Sequence, residues 1–465
     1  WMLNSDNYLT YVHSQRDILA DVRLSYENSH IYVSTEERRN KDVDGVHIDM
    51  QDIKIADWVV VSPLVTPMSG LLSANVYIDM PEEGVEAAGT LDVIDYVYNN
   101  RRVGTFHADV DYSIEPRGGN NIRAALLRDG NNVLDVVAYL DQQPTPGING
   151  SITISEFPLE AANAFFPHDM GKFSGELNSR LSLTGHLSSP TINGFIRFDD
   201  ATTSFDKIGA TLTLDNTEIP VKNSRLSFLQ YGIRGANNVP LNIDGVIDFS
   251  RLTNVGINLD FKARNFQPIH IAENRTGIIY GTVYTDVDAR VRGTLANLNV
   301  SGNVSLLSGT NATYVMQSNR SLSSTDYSEM VSFVTFSDTT SMLDTESDTQ
   351  RRANLVANVD IDIDQGVQLG VNLSLDGSNR IDLVGGGNLL YTSTAMGDNR
   401  MTGRYTLTGG FVRYTPPFIS QKIFNIEDGS YVSWNGNIAD PTFNIKAVQS
   451  QRSTVKSGED SRLVD

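Results

Sequence analysis

Over most of its length the chain is written in strict period-two alternation. Phe106, Ala108, Val110, Tyr112 and Ile114 alternate with His107, Asp109, Asp111 and Ser113. Val255, Ile257, Leu259, Phe261 and Ala263 do the same against Asn258, Asp260 and Lys262. Val287, Ala289, Val291, Gly293 and Leu295 oppose Asp288, Arg290, Arg292 and Thr294. Leu355, Ala357, Val359, Ile361 and Ile363 oppose Asn358, Asp360, Asp362 and Asp364. Successive side chains of a strand point to opposite faces, so each run is a strand with one apolar and one polar side. An amphipathic helix would instead repeat its apolar residues every three or four positions. The alternation predicts an all-β chain. Without periodic helical blocks, the 465 residues read as one elongated body rather than several mixed domains. A single short helix is predicted from Leu159 to Phe166, between Pro158 and Pro167.

Strands apolar on one face need something to cover that face. Two coverings satisfy the requirement. A second sheet makes a filled sandwich, whereas a long antiparallel ribbon that curls around its own apolar side leaves a lengthwise groove. Small residues on the apolar faces, such as Ala108, Ala263, Ala289 and Ala357, weaken the case for a tightly filled interior.

Charge narrows the partners. Lys and Arg total 36 against 56 Asp and Glu, a net charge of −20, which argues against nucleic acid and against polybasic docking on anionic lipid headgroups. The chain has no cysteine, which suits an oxidising compartment as well as any other. It contains no run of 18 apolar residues and so no helical membrane span. It begins on Trp1 and shows no signal peptide, the expectation for part of a longer or processed chain.

Turn chemistry divides the remainder. Residues 1–62 carry only a weak pattern, and Val133 to Leu140 is apolar enough to suit burial on both faces. Asn99-Asn100 and Asn237-Asn238 read as turns, and Gly385-Gly386-Gly387 as a bend or bulge. Residues 317–352, dense in Ser, Thr and Asp, read as a long, partly disordered excursion. Residues 401–448 read as a meander. Pro416-Pro417 stops pairing there, and Asp428-Gly429 and Asn435-Gly436 supply hairpin turns. Residues 449–465 form a polar tail without strand pattern. The resulting division is 1–150, 151–316, 317–352, 353–448 and 449–465.

An internal repeat joins residues 156–198 to residues 265–307. Gly175 and Gly185 of the first copy recur as Gly281 and Gly293 of the second, and Gly194 recurs as Gly302. Leu187, Ile192 and Ile196 match Leu295, Val300 and Val304, while Pro190 has Leu298 in its place. Each repeat adds strands to one ribbon, as in other solenoid-like arrays.

No chemistry-bearing motif stands out. Gly-x-Ser-x-Gly, HExxH and P-loop patterns are absent, and the seven histidines are scattered. Asp360, Asp362 and Asp364 could collect a hard cation, but a solvated strand face that resists edge pairing explains them as well. Neither a catalytic residue, a cofactor nor a metal site is predicted.

Residues 401–448 carry a resemblance. Leu407, Gly409, Gly410, Tyr414, Phe424, Ile426, Gly429, Trp434, Gly436, Pro441, Ile445 and Ala447 are similar to the C-terminal domain of the TamB family, in a Bacteroidota-like version. The repeat resembles the Gly-x-Leu…Pro…Gly-x-(Ile/Val) signature of TamB and other AsmA-like proteins. The resemblance implies a curled antiparallel β-sheet with a lengthwise apolar groove, a β-taco. It implies a periplasmic bridge between inner and outer membranes, anchored at the inner membrane by a segment upstream of Trp1. It also implies conduction of phospholipid towards the outer membrane and docking on a BamA- or TamA-type barrel. Two other readings stand beside it: assembly of outer-membrane proteins, and a structural or adhesive repeat protein with no lipid path. On the lipid reading, Phe106, Val110, Ile257, Leu259, Val287, Val291, Val359 and Ile361 would line the groove. Tyr414, Phe418, Phe424 and Trp434 would meet the partner.

Overall fold

Strands, long and mostly antiparallel, make up most of the described residues, as the alternation predicts. The computed structural model describes residues 1–12, 17–35, 45–59, 66–79, 84–115, 118–141, 146–165, 171–205, 208–273, 277–316, 354–374, 376–395, 397–415, 420–438, 440–450, 453–457 and 460–464. Among them the helical elements are a five-residue α-helix, Ile55–Val59, and a 3-10 helix, Leu159–Phe165. No helix of the described residues is long and apolar enough to cross a membrane. The chain is all-β.

The chain forms two units. The first comprises Trp1–Phe205, Leu212–Ile233 and Asp244–Val255; the second comprises Asp206–Thr211, Arg234–Ile243 and Gly256–Asp465. In the first, each strand pairs antiparallel with the next from Asp17–Tyr26 through Thr191–Phe205. The phase of the alternation is kept across every one of these pairs, because a one-residue slip would send a whole strand's apolar set to the polar face.

In the second unit the ladder runs from Gly256–Ile271 to Ile279–Thr294 and on to Asn297–Leu306, all antiparallel. The next step differs from the expected uniform antiparallel order. Asn354–Asn372 lies parallel to both Asn297–Leu306 and Asn311–Val315. A parallel neighbour needs a long return connection, and the chain between Val315 and Asn354 supplies one. The expected disordered excursion falls there, in residues outside those described. Antiparallel pairing then resumes through Arg380–Ser393 and Asn399–Tyr414.

The meander at 401–448 is built differently from its turn signals. Lys422–Ile426 and Tyr431–Asn437 do not pair with each other; both lie antiparallel to Asn399–Tyr414, one after the other along its length. Asp428-Gly429 is therefore a step within one edge and not a hairpin. Asn435-Gly436 lies inside the strand Tyr431–Asn437. The local signal lost because Asn399–Tyr414 is long enough to template both short strands. Pro416 and Pro417 lie outside the described residues. Asn99-Asn100 and Asn238 do turn, with positive φ of 49°, 60° and 61°. Residues 1–62, weakly patterned in sequence, hold four strands of five residues or more, the longest being Asp17–Tyr26. The polar C-terminal stretch pairs as a hairpin, Ser453–Ser457 with Asp460–Val464. Val133 to Leu140 is not buried on both faces, since Val137 is 54 % exposed.

Burial concentrates at a cluster in the second unit: Ile363, Val367, Leu389, Tyr405, Leu407 and Ile426. The ladder shifts register between Ile363 and Val367 and again between Val384 and Gly385, so Gly385-Gly386-Gly387 does sit at an irregularity. Tyr405 donates its hydroxyl to the Val367 carbonyl at 2.8 Å, and burial pushes its phenol pKa up. Leu407→Ala should cost about 2–5 kcal/mol of unfolding free energy through lost burial and a residual cavity. Tyr405→Phe should cost about 1 kcal/mol through one lost hydrogen bond. Urea titration of both variants checks the order of the two effects.

Candidate functional site

Directly paired residues share a face, so the register identifies which side chains form each surface of the sheet. In the first unit one row of paired positions reads Val22, Val33, Ile48, Val76, Gly89, Val110, Ala124, Val136, Ile152, Leu181, Gly194, Val221 and Leu226. It crosses thirteen strands without a polar residue. The row beside it reads Leu24, Ile31, Met50, Ala74, Leu91, Ala108, Leu126, Leu134, Ile154, Ser179, Ile196 and Ile219, with Ser179 its one polar member. Ser179 answers its position by donating to the Phe195 carbonyl at 2.8 Å. At about 4.8 Å between strands, thirteen strands give a path of roughly 58 Å.

This face is only partly covered. Val110 is 47 % exposed and Leu91 41 %, and most other members of the two rows are intermediate in burial. A sandwich core would bury such residues completely. At one margin the 3-10 helix Leu159–Phe165 does cover the sheet, packing Ala161 and Ala164 against Val103, with Tyr96, Tyr98, Phe106 and Phe157 around them. Asn163 straps the helix down. Its amide donates to the Phe173 carbonyl at 2.7 Å and its carbonyl accepts from the Phe173 N–H at 2.8 Å.

The opposite face is polar. One row reads Arg23, Tyr32, Asp49, Asn75, Thr90, Asp109, Ala125, Asp135, Thr153 and Arg180. His107 lies on that face between Asp92 at 2.7 Å and Asp109 at 3.3 Å. The Asp92 hydrogen bond raises its pKa.

In the second unit the rows continue the pattern. Phe261, Ala289, Gly302, Val359, Tyr391, Met401 and Gly436 form one, and Ala263, Val287, Val304, Ile361, Leu389, Gly403 and Trp434 the next. Behind them stand Asp260, Arg290, Ser301, Asn358, Thr392 and Arg400. Here the face is filled at its far end, because Ile361 and Trp434 pack against the buried cluster.

The predicted lining residues pair across the ladder with apolar residues or glycine, except Phe106, which faces Val93 on one side and Arg128 on the other. Phe106 and Val110 belong to the first unit; Ile257, Leu259, Val287, Val291, Val359 and Ile361 belong to the second. Leu259 pairs with Val291, and Ile257 with Gly293. Val110 is the most open of the named positions, while Leu259 is buried. Phe106 packs under the 3-10 helix. Of the predicted partner residues, Tyr414 is 50 % exposed. Phe424 pairs with Val412, and the Trp434 indole donates to the Ile438 carbonyl at 3.1 Å. Phe418 lies outside the described residues. The aspartate ladder is engaged within the fold: Asp362 accepts from Asn303 and Asn388, and Asp364 from the Ser308 N–H. Among the described residues no cluster of acidic, histidine or cysteine side chains suits a metal ion.

A sheet that presents a continuous apolar path on one side and charge on the other defines a β-rich surface-bearing scaffold. Residues 230–463, half of the chain, match the family model of the TamB C-terminal domain, and the chain belongs to the TamB family. Membership brings a role in the translocation and assembly module of the cell envelope. No match was found among curated proteins or among solved structures.

Two measurements check this surface. An environment-sensitive hydrophobic dye should bind the protein, and Val110→Asp should reduce binding severalfold without lowering the unfolding midpoint, because Val110 is half exposed. On the polar face, the charged His107–Asp92 pair stabilises fully below the ordinary imidazole pKa of 6.5. That contribution fades as pH rises through the raised folded value. His107→Gln should therefore lose thermal stability relative to wild type at about pH 5.5 and match it at about pH 8.5.

Proposed function

We propose that the protein is a periplasmic bridge that carries phospholipid towards the outer membrane, the acyl chains lying against the apolar face. The observation that supports this most is the row from Val22 to Leu226: thirteen consecutive apolar positions, all but Val221 at least partly open, with no second sheet burying them among the described residues. Burying sixteen methylenes there, at about 0.8 kcal/mol each, gains on the order of 10 kcal/mol over water. Headgroups stay in solvent beside the sheet. A segment upstream of Trp1 anchors the protein at the inner membrane, and the strands around Tyr414, Phe424 and Trp434 dock on a BamA- or TamA-type barrel.

One observation favours a second reading, assembly of outer-membrane proteins. Tyr431–Asn437 pairs on its outer side only through Tyr431 to Ser433, which meet Asn444 to Thr442. Among the described residues no strand pairs with Trp434, Asn435 and Gly436 on that side, which leaves room for an incoming strand, the geometry of β-augmentation.

Phospholipid should co-purify with the protein, detected by mass spectrometry after solvent extraction. Val291→Arg should lower the bound amount at least severalfold and abolish complementation of the lipid-transport defect. A chain that purifies without phospholipid, and whose Val291→Arg variant functions normally, is a structural β-protein and not a conduit. A photo-crosslinker at Tyr414 tests docking separately: capture of an outer-membrane barrel is expected, and its absence overturns that half of the reading.

A further inference from the structure

The strands are interrupted at recurring places. Asp52, Asp95, Glu156, Asp200, Gln230 and Asn265 all lie within strands yet have φ of 51°, 49°, 47°, 47°, 51° and 52°, a region disfavoured for residues other than glycine. At five of the six the register of the ladder shifts by one. Gln51 and Asp52 face only Ser73, and Ser155 and Glu156 face only Asn178. Ile94 and Asp95 face only Thr105, Asp200 and Ala201 face only Gly175, and Arg264 and Asn265 face only Asp286. These are β-bulges, each one residue extra, and a bulged strand bends and twists more strongly at that point.

Each bulge is capped. The Asp52 N–H donates to Ser73 Oγ at 3.1 Å, and the Asp95 N–H to Thr105 Oγ1 at 3.2 Å. The Glu156 N–H donates to Asn178 Oδ1 at 2.9 Å, and the Asp200 N–H to Asn216 Oδ1 at 3.1 Å. The Gln230 N–H donates to Asp244 Oδ1 at 2.8 Å, and the Asn265 N–H to Asp286 Oδ1 at 2.7 Å. In every case the acceptor is a short polar side chain further along the chain, and at Ser73, Thr105, Asn178 and Asp286 it is the very residue the bulge faces. The left-handed residue has lost its ladder partner, and the cap replaces it. The two copies of the sequence repeat begin on such residues, Glu156 and Asn265, and carry their caps at Asn178 and Asp286.

We infer that the five capped bulges of the first unit form a built-in bend line that crosses its strands, and that Asn265 sets the same kind of capped bend in Gly256–Ile271 of the second. The line divides each bulged strand into two arms and fixes the angle between them by side-chain-to-backbone hydrogen bonds. The bend is thus a property of the chain itself and is present without any ligand on the apolar face. This inference does not depend on the lipid reading, and its test contains no lipid.

The chain lacks native cysteine, so spin labels can be placed at will. Asn258→Cys and His270→Cys put labels on exposed positions of Gly256–Ile271, on either side of the Asn265 bulge and of a second register shift between Phe266 and Ile269, so the Asn265 amide reports the capped bulge by itself. A straight strand would separate the two backbone positions by about 40 Å. The ligand-free protein should give a narrow distance distribution centred well below that. Asp286→Ala should broaden the distribution and raise the exchange rate of the Asn265 amide about tenfold, the effect of one hydrogen bond. Asp286→Asn keeps the acceptor but loses the 3.5 Å ion pair with Arg264, so it should behave as wild type. If Asp286→Ala changes neither distance nor exchange, or if Asp286→Asn behaves like Asp286→Ala, the cap does not hold the bend. Should Asp286→Ala fail to fold, Asn178→Ala read at the Glu156 amide decides the same question.

Discussion

Register is the constraint on which everything else in this protein depends. A strand's two faces differ by a single residue of phase, and the protein has thirteen successive strands in its first unit whose apolar positions line up. One uncorrected slip would turn Val, Ile and Leu outward and Asp and Arg inward for every residue beyond it. Polar pairs across the outer face help hold the phase. Asp260 meets Arg292 at 2.8 Å and Arg225 meets Asp248 at 2.8 Å. Such exposed pairs contribute little to stability; their effect is to make the shifted registers worse.

The bulges are compatible with this constraint because each is matched. An extra residue in one strand is absorbed opposite a single residue of the next, and the alternation resumes in phase with its neighbour. Around Asn265 the apolar positions run through Ile257, Leu259, Phe261 and Ala263, then Phe266, and Val287 and Thr285 accompany them without a break. Gly175 shows why glycine marks such a place. It sits opposite Asp200 and Ala201 at φ 93°, and a Cβ there would meet the Ala201 backbone at 2.6 Å.

The all-β class, the strand faces and the family were legible in the sequence because they rest on local periodicity and on short-range residue patterns. The short helix between Pro158 and Pro167 was legible for the same reason. The parallel placement of Asn354–Asn372 was not, since no local pattern distinguishes a strand that pairs parallel from one that pairs antiparallel. The two short strands laid end to end on Asn399–Tyr414 were misread as a hairpin, because Asp428-Gly429 suits a hairpin turn locally while the partner's length decides otherwise. The bend line left a signal that period-two counting passes over. The phase slips between Ala263 and Phe266, and a residue tolerant of left-handed backbone sits at the slip. Which apolar positions remain open and which are packed, Val110 against Ile361 for example, depends on distant strands and has no local signature.

The parallel step also has a consequence for how the chain acquires its structure. In the first unit, from Asp17 to Phe205, each strand finds its neighbour as soon as the next stretch of chain is available, so the ladder is able to grow in sequence with small loop-closure cost. Asn297–Leu306 and Asn311–Val315 must instead leave one edge unsatisfied until Asn354 and the residues after it arrive. Non-local pairing of this kind slows formation. During synthesis that edge stays a bare template until the late strand arrives, and the second unit's buried cluster, all six of whose residues lie on that strand and later ones, forms only after they are made.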